Sequence, residues 1–96
     1  MRRMYRHRLI VGGEPTVFEL TADPVRVEAR RLGVGERAQH VVDFWAEHDD
    51  EAPASKRTFQ IYGTGHPLPE DARHRGSTAR TDDGFVWHLY EMGAAK

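Results

Sequence analysis

The sequence predicts an all-β protein, a small antiparallel sandwich or barrel of six to seven strands. Polar and apolar side chains alternate over short runs, which is the period of a strand with one buried face. Residues that favour turns, mostly Gly, Pro and Asp, interrupt these runs at intervals of about 8 to 15 residues. Because the chain has 96 residues, we expect a single β domain over residues 1–92 and a disordered tail over residues 93–96.

Two strands are predicted near the start of the chain. In residues 4–11 the basic side chains of Arg6 and Arg8 share one face, and aromatic and apolar side chains share the other. The next run, residues 16–21, is rich in β-branched and aromatic residues, and the Gly-rich segment 12–15 separates the two. A short Gly-rich connection is typical of a hairpin, so we expect these two strands to pair.

A third strand is predicted over residues 25–30, where Val and Ala alternate with charged residues. A short helix over residues 28–32 is the alternative, because Ala, Arg and Leu favour helices. Gly33 and Gly35 leave little length for a stable helix, so the strand is the preferred interpretation.

The middle of the chain contains further strands. Residues 40–48 and 56–62 alternate in the same way, whereas residues 72–79 hold few large apolar side chains and predict a weak edge strand broken by Gly76. The Asp–Gly signature at residues 81–84 predicts a tight hairpin.

The last run, residues 85–92, is apolar on both faces and therefore predicts a strand in the centre of a sheet. The expected core combines inward-facing residues of the third and later strands. These residues are Val25, Val27, Val42, Phe44, Phe59, Ile61, Phe85, Trp87 and Leu89.

Composition excludes several kinds of site. The chain has no Cys, which removes disulfides, thiolate metal sites and a cysteine nucleophile. The six His residues lack the spacings of a metal site, so we expect no metal, no cofactor and no catalytic residue. No apolar run approaches the roughly 18 residues of a membrane helix, so a soluble cytoplasmic protein without a membrane partner is expected.

Charge is distributed unevenly, although the net charge is only −1. Four arginines make the start of the chain basic: Arg2, Arg3, Arg6 and Arg8. Five acidic residues lie within residues 43–51. The preferred interpretation is that both segments are solvated strand edges. The alternative is that they face each other, either within the fold or between neighbouring copies.

The segment 63–69 is the most unusual stretch of the sequence, because two Gly flank a Thr and two Pro follow. Glycines let a backbone approach a ligand closely or turn a sharp corner. The candidate ligand loop consists of Gly63, Thr64, Gly65 and His66. His66 and His88 are expected to act as hydrogen-bond partners, and proton transfer is the alternative role for His66.

Four segments resemble a family of small uncharacterised proteins from bacteriophages and actinobacteria. They are residues 4–6, 44–46, 58–69 and 84–91, and the most specific parts are Phe-Gln-x-x-Gly-Thr-Gly-His-Pro and Val-Trp-His-Leu. The similarity covers nearly the whole chain. It implies a small β fold and a phage or prophage setting, with the host cytoplasm or the virion as the location, and it supplies no catalytic residues.

The preferred functional interpretation is a non-catalytic protein-interaction or assembly module that self-associates. The runs 41–45 and 85–92 carry more apolar surface than one thin core hides, so a second copy is expected to cover it. The candidate interaction residues are Arg2, Arg3, Tyr5, Arg6, Arg8, Trp45 and His88.

Two alternatives come from other functional classes. A single-stranded nucleic-acid binder would use Tyr5 for stacking and the neighbouring arginines to follow the phosphate backbone. A small enzyme would bring His66 and His88 together with a carboxylate in one pocket.

Overall fold

The computed structural model describes residues 1–93 and confirms the all-β prediction. In this part of the chain the strands are β1 (Arg2–Ile10), β2 (Thr16–Leu20), β3 (Pro24–Leu32), β4 (Gln39–Asp49), β5 (Ser55–Gly63), β6 (Arg73–Ser77) and β7 (Trp87–Glu91). They form two antiparallel sheets, with strand orders β1-β4-β3 and β2-β5-β7-β6. The two sheets pack face to face as a sandwich. Apart from Gly93, the predicted tail 93–96 lies outside the described residues.

The three-stranded sheet is built around β4, the longest strand. β1 pairs with it from Arg2 opposite Asp49 to Ile10 opposite Val41. β3 pairs with its other side as far as Leu32 opposite Gln39. Residues 28–32, for which a short helix is the alternative prediction, are therefore part of a strand, because each of them pairs with a residue of β4.

The predicted hairpin between the first two strands is wrong. β1 belongs to the three-stranded sheet and β2 to the four-stranded sheet, so residues 11–15 cross from one layer to the other. Gly13 N–H donates to the Ile10 carbonyl at 3.2 Å, which turns the chain at the end of β1. β1 has nine residues and β2 only five. Pairing with the longer, acidic β4 therefore gives the basic β1 more paired residues than pairing with β2 would, together with a complementary charge.

The core lies between the sheets and differs from the predicted core in both directions. Leu9, Leu20 and Ala46 are buried although they were not predicted, Trp87 is only partly buried, and Val25 and Phe85 are exposed. Its buried residues are Leu9, Leu20, Val27, Val42, Phe44, Ala46, Phe59, Ile61 and Leu89. Val25 is 66% exposed because the ladder shifts between Pro24 and Arg26, leaving Val25 as the unpaired residue of a bulge. Phe85 is 49% exposed because it precedes β7, and its ring stacks on partly buried Trp87 at 5.3 Å.

Aromatic rings fill the centre of this core. Phe18 and Phe59 from one sheet lie 5.2 and 5.2 Å from Phe44 of the other. The imidazole of His7 stacks on Phe44 at 4.9 Å. Burial, and secondarily the nearby His48, holds the pKa of His7 below its ordinary value of 6.5.

One end of the sandwich is closed by an ionic cluster of Arg57, Glu91, Arg75 and Asp23. Arg57 donates two hydrogen bonds to the Glu91 carboxylate, at 2.7 and 2.8 Å, and a third to Asp23 at 2.6 Å. Arg75 donates to Glu91 at 2.8 Å. The cluster joins β5, β6 and β7 to the turn before β3.

The predicted edge strand β6 and the Asp–Gly hairpin are confirmed. β6 lies at the edge of its sheet and pairs only with β7. The ladder is irregular between His74 and Gly76. A Cβ at Gly76 would lie 2.5 Å from Cγ2 of Val27, so glycine lets β6 approach β3 and close that side of the sandwich.

Candidate functional site

The outer face of the three-stranded sheet carries a tryptophan between arginines. β1 directs its even-numbered side chains to this face, and the register places Arg6 opposite Trp45 on one side and Arg26 opposite it on the other. The Arg26 guanidinium carbon lies 5.8 Å from the centre of the Trp45 ring. We call the set Arg2, Arg6, Arg8, Arg26, Arg30 and Trp45 the arginine–tryptophan face.

The basic and acidic segments face each other within the chain. Arg8 donates to both carboxylate oxygens of Asp43, at 2.7 and 3.0 Å, and Asp43 is 1% exposed. Hydrogen bonding to Asp43 raises the pKa of Arg8 above its ordinary value. Arg2 reaches Glu47 at 3.3 Å.

Two arginines of this face keep their charge unmatched. Among residues 1–93, Arg6 and Arg30 have no carboxylate within ion-pair distance. Both are exposed. They are therefore available to an anionic partner without first breaking an internal ion pair.

The structure separates the residues that a basic stripe around Tyr5 would combine. Arg3 and Tyr5 lie on the opposite side of β1 from Arg2, Arg6 and Arg8, because side chains alternate along a strand. The Tyr5 ring lies 5.9 Å from His48. Trp45, on the neighbouring strand, is the aromatic group that the arginines flank.

The outer edge of β1 presents unused backbone groups. Val11 N–H donates to the His40 carbonyl at 3.0 Å, and Asp50 N–H donates to the Met1 carbonyl at 3.2 Å. Bonded and non-bonded pairs alternate in an antiparallel ladder, so odd-numbered residues of β1 bond to β4 and even-numbered residues point their backbone groups outward.

Four residues of β1 form this open edge: Arg2, Met4, Arg6 and Arg8. Ile10 also points outward, but its carbonyl already accepts from Gly13. No other backbone hydrogen bond reaches these four residues from the described part of the chain. The residues with unpaired backbone groups are also those whose side chains lie on the outer face. The free N–H and C=O groups and the positive charges of β1 therefore belong to the same residues.

The candidate ligand loop and the last strand meet on the other side of the molecule. Thr64 Oγ1 lies 2.9 Å from His88 Nε2. The loop turns tightly, since His66 N–H donates to the Gly63 carbonyl at 3.2 Å. A Cβ at Gly63 would lie 3.0 Å from the His66 ring, which explains the glycine there.

A shallow pocket of about 140 Å³ opens beside this contact. Its walls are Tyr62, Thr64, His66, Leu68, His88 and Tyr90, together with the backbone of the two loop glycines. The Tyr62 and Tyr90 rings meet edge to face at 5.7 Å. The pocket thus brings His66 and His88 together, and within residues 1–93 no carboxylate lines it.

A chain of side-chain hydrogen bonds continues from this pocket across the sheet. Ser77 Oγ lies 2.6 Å from His88 Nδ1 and 2.8 Å from His74 Nε2. Thr64, His88, Ser77 and His74 are therefore linked in series. Sequence reasoning singled out neither Ser77 nor His74.

The predicted hairpin is sufficient to place Ser77 opposite His88. Counting outward from the turn at residues 81–84 by four positions on each side places Ser77 opposite His88, as observed. His74 could not be found in this way, because the irregularity before Gly76 shifts the register.

Residues 1–93 contain neither a metal-holding cluster nor a helix that could span a membrane. No group of three or more His, Asp or Glu side chains is arranged to hold a metal ion. No helix in residues 1–93 is long and apolar enough to cross a membrane.

Comparison with known proteins gives a family but no activity. No curated protein matches the sequence, and no solved structure matches the fold. The model of one family, described as a domain of unknown function, DUF7352, matches residues 1–96. Since the match spans the whole chain, the protein belongs to the DUF7352 family.

Proposed function

We propose that the protein is a protein-interaction module, in a phage or prophage setting, that binds an extended acidic segment of another protein along β1 without catalysing a reaction at that edge. The segment would add a fourth strand to the three-stranded sheet. The observation that supports this most is the open edge of β1, where unused backbone groups and arginine side chains belong to the same residues.

Backbone geometry supports strand addition. An extended peptide that pairs with an exposed sheet edge gains main-chain hydrogen bonds, and its alternate side chains give specificity. The four open residues Arg2, Met4, Arg6 and Arg8 provide N–H and C=O groups in the spacing of a ladder. The Gly-rich turn ends this edge after Ile10.

Charge supports an acidic partner. Side chains directly opposite each other in a ladder share one face, so partner residues opposite Arg6 and Arg8 would lie on the arginine–tryptophan face. Arg6 has no internal carboxylate partner in the described chain. A peptide with Asp or Glu at alternate positions therefore matches this edge best.

The same charges oppose pairing between two β1 strands. In antiparallel self-pairing the edge-facing residues of one copy meet those of the other, and Arg2, Arg6 and Arg8 make up most of them. Every register that pairs at least three of these residues places one arginine directly opposite another. Charged side chains on an edge strand are a known way in which proteins prevent edge-to-edge aggregation. The runs 41–45 and 85–92 are also largely covered within the chain, apart from Phe85.

Peptide binding tests the proposal. A fluorescent peptide alternating Glu with Val should bind the protein, as measured by anisotropy, and a peptide alternating Lys with Val should not. Met4→Pro removes an outward N–H without touching the β4 ladder, and we expect it to weaken binding at least about tenfold.

Val17→Pro is the matched control. Val17 lies on the edge strand β2, and Thr58 opposite it bonds to Met92, so the Val17 N–H also points to an open edge. This variant should bind like the original protein. Equal binding by the original and Met4→Pro, or no binding of the acidic peptide, would refute the proposal.

Trp45 favours a second candidate, single-stranded nucleic acid. Arginines lie opposite it on both neighbouring strands, and single-stranded nucleic acids are held by base stacking together with cations that follow the backbone. A fluorescent oligonucleotide in the same assay, with Trp45→Ala, distinguishes the two. Tight oligonucleotide binding that is lost in Trp45→Ala but kept in Met4→Pro would favour nucleic acid over protein.

A further inference from the structure

We propose that Ser77 is a nucleophilic serine that accepts the acyl group of a small ester, with the imidazoles of His74 and His88 as its base and hydrogen-bond donor. This site lies on the outer face of the four-stranded sheet and is independent of the β1 edge. It rests on the hydrogen-bonded series of Thr64, His88, Ser77 and His74.

The direction of these hydrogen bonds makes Ser77 a donor to an imidazole in either arrangement of protons. If His74 Nε2–H donates to Ser77 Oγ, then the Ser77 hydroxyl donates to His88 Nδ1. In the reverse arrangement His88 donates to Ser77, and the Ser77 hydroxyl donates to His74. One imidazole is thus positioned to take the hydroxyl proton while the other holds the oxygen.

Thr64 fixes the tautomer of His88 in the first arrangement. When the Thr64 oxygen accepts from His88 Nε2–H at 2.9 Å, His88 Nδ1 is left unprotonated towards Ser77. The third group of a catalytic triad orients its histidine in the same way. Thr64 is therefore a positioning residue here.

The chemical step is ordinary acyl transfer. Ser77 Oγ forms a bond to the ester carbonyl carbon, and the hydroxyl proton moves to the accepting imidazole. The bond from that carbon to the oxygen of the leaving aryl group then breaks, and the departing aryloxide takes the proton from the imidazole. A water molecule, activated by the same imidazole, releases the acid and restores Ser77.

The adjoining pocket limits the substrate. His88 and Tyr90 line the pocket, and both adjoin the Ser77 site, since the Tyr90 ring packs on His74 at 5.4 Å. A shallow pocket of about 140 Å³, with the two tyrosine rings in its wall, holds a small aromatic or short acyl group, not a long chain. Small aryl esters are the class that fits.

An alkyl fluorophosphonate tests the nucleophile, because it bonds to activated serine with loss of fluoride and gives a stable adduct. The chain has only two serines, Ser55 and Ser77, and no cysteine. Peptide mass spectrometry can therefore assign the adduct without ambiguity. We expect Ser77 to be labelled much faster than Ser55.

Variants separate an activated serine from an exposed one. Ser77→Ala should abolish labelling, and Ser55→Ala should leave it unchanged. His74→Asn with His88→Asn should slow labelling by about 100-fold, the usual contribution of a general base. Because Ser77 and His74 are exposed, circular dichroism should show these variants folded, and a single His substitution should slow labelling less.

Two results would overturn the proposal. Labelling of Ser77 at the rate of Ser55 would show that the imidazoles do not activate it. Fast labelling of Ser77 that persists in the double His variant would show that another group is responsible. Hydrolysis of 4-nitrophenyl acetate by the original protein, lost in Ser77→Ala, would extend the result from labelling to turnover.

Discussion

The carboxylate of Asp43 is almost fully buried although it lies on the outer face of a sheet. Arg8 covers it with two hydrogen bonds, and long arginine stems can shield such a face from water. A buried carboxylate that loses its partner is costly because nothing replaces the lost hydrogen bonds. The arginines of β1 therefore have different roles in the fold, because Arg8 pairs with buried Asp43 whereas Arg6 has no carboxylate partner among residues 1–93.

Arg8→Ala should destabilise the protein much more than Arg6→Ala. The first substitution leaves the buried Asp43 carboxylate without its hydrogen-bond partner, and the second removes an exposed side chain that has no ion pair. We expect Arg8→Ala to lower the midpoint of thermal unfolding by at least about 5 °C, against little change in Arg6→Ala. Circular dichroism melts at neutral pH measure both, and equal midpoints would contradict the assigned roles.

At the scale of elements, the ionic cluster ties three strands together through Glu91. Hydrogen bonds from Arg57, and then from Arg75, hold the pKa of the Glu91 carboxyl below its ordinary value of 4.5, against the opposing effect of burial. A carboxyl with a lowered pKa in the folded state contributes stability above its unfolded pKa. That contribution is lost as the pH falls through the folded pKa.

Glu91→Gln should reveal this contribution by its pH dependence. Above pH 4.5 the variant should melt at least about 5 °C below the original protein. The difference should shrink as the pH falls below 4.5, because the original protein then loses the same charge. Melting curves over a pH series provide the measurement, and a constant difference would contradict the argument. Glu19→Gln, on an exposed residue of β2, is the control.

Elements differ in how far the sequence predicts them. Alternation located the strands, and the Asp–Gly turn predicted the pairing of β6 with β7. The partners of β1 and β2 could not be predicted from adjacency, because the Gly-rich connection suits a crossing between layers as well as a hairpin. Bulges leave no signal in the alternation of side chains, so the sequence predicts Val25 in the core and gives no indication of where His74 lies.

At the scale of the molecule, the arginines of β1 should keep it from pairing with itself through this edge. Arg2→Thr with Arg6→Thr removes the opposing charges while retaining strand-forming residues. We expect the double variant to self-associate increasingly with concentration in sedimentation velocity, whereas the original protein stays monomeric. Arg37→Thr with Arg80→Thr, which removes the same charge from exposed positions outside the strands, should also stay monomeric.

The candidate sites show the same division between local and long-range information. The candidate ligand loop can be recognised in the sequence because Gly63 and Gly65 are local signals. The meeting of Thr64 with His88 required the pairing of β5 with β7, and Trp45 came to lie between Arg6 and Arg26 only through β1-β4-β3 pairing. A site formed by side chains of several strands cannot be predicted until the pairing of those strands is known.

The position of β4 in its sheet also sets the order in which the protein can fold. β1 and β3 each pair with β4 and not with each other, and β4 follows both in the sequence. During synthesis on a ribosome, residues 1–38 would therefore emerge before β4, the strand with which β1 and β3 pair. The sheet would form only after residue 49 had left the ribosomal exit tunnel. Such delayed, long-range pairing makes folding slow compared with a meander of hairpins.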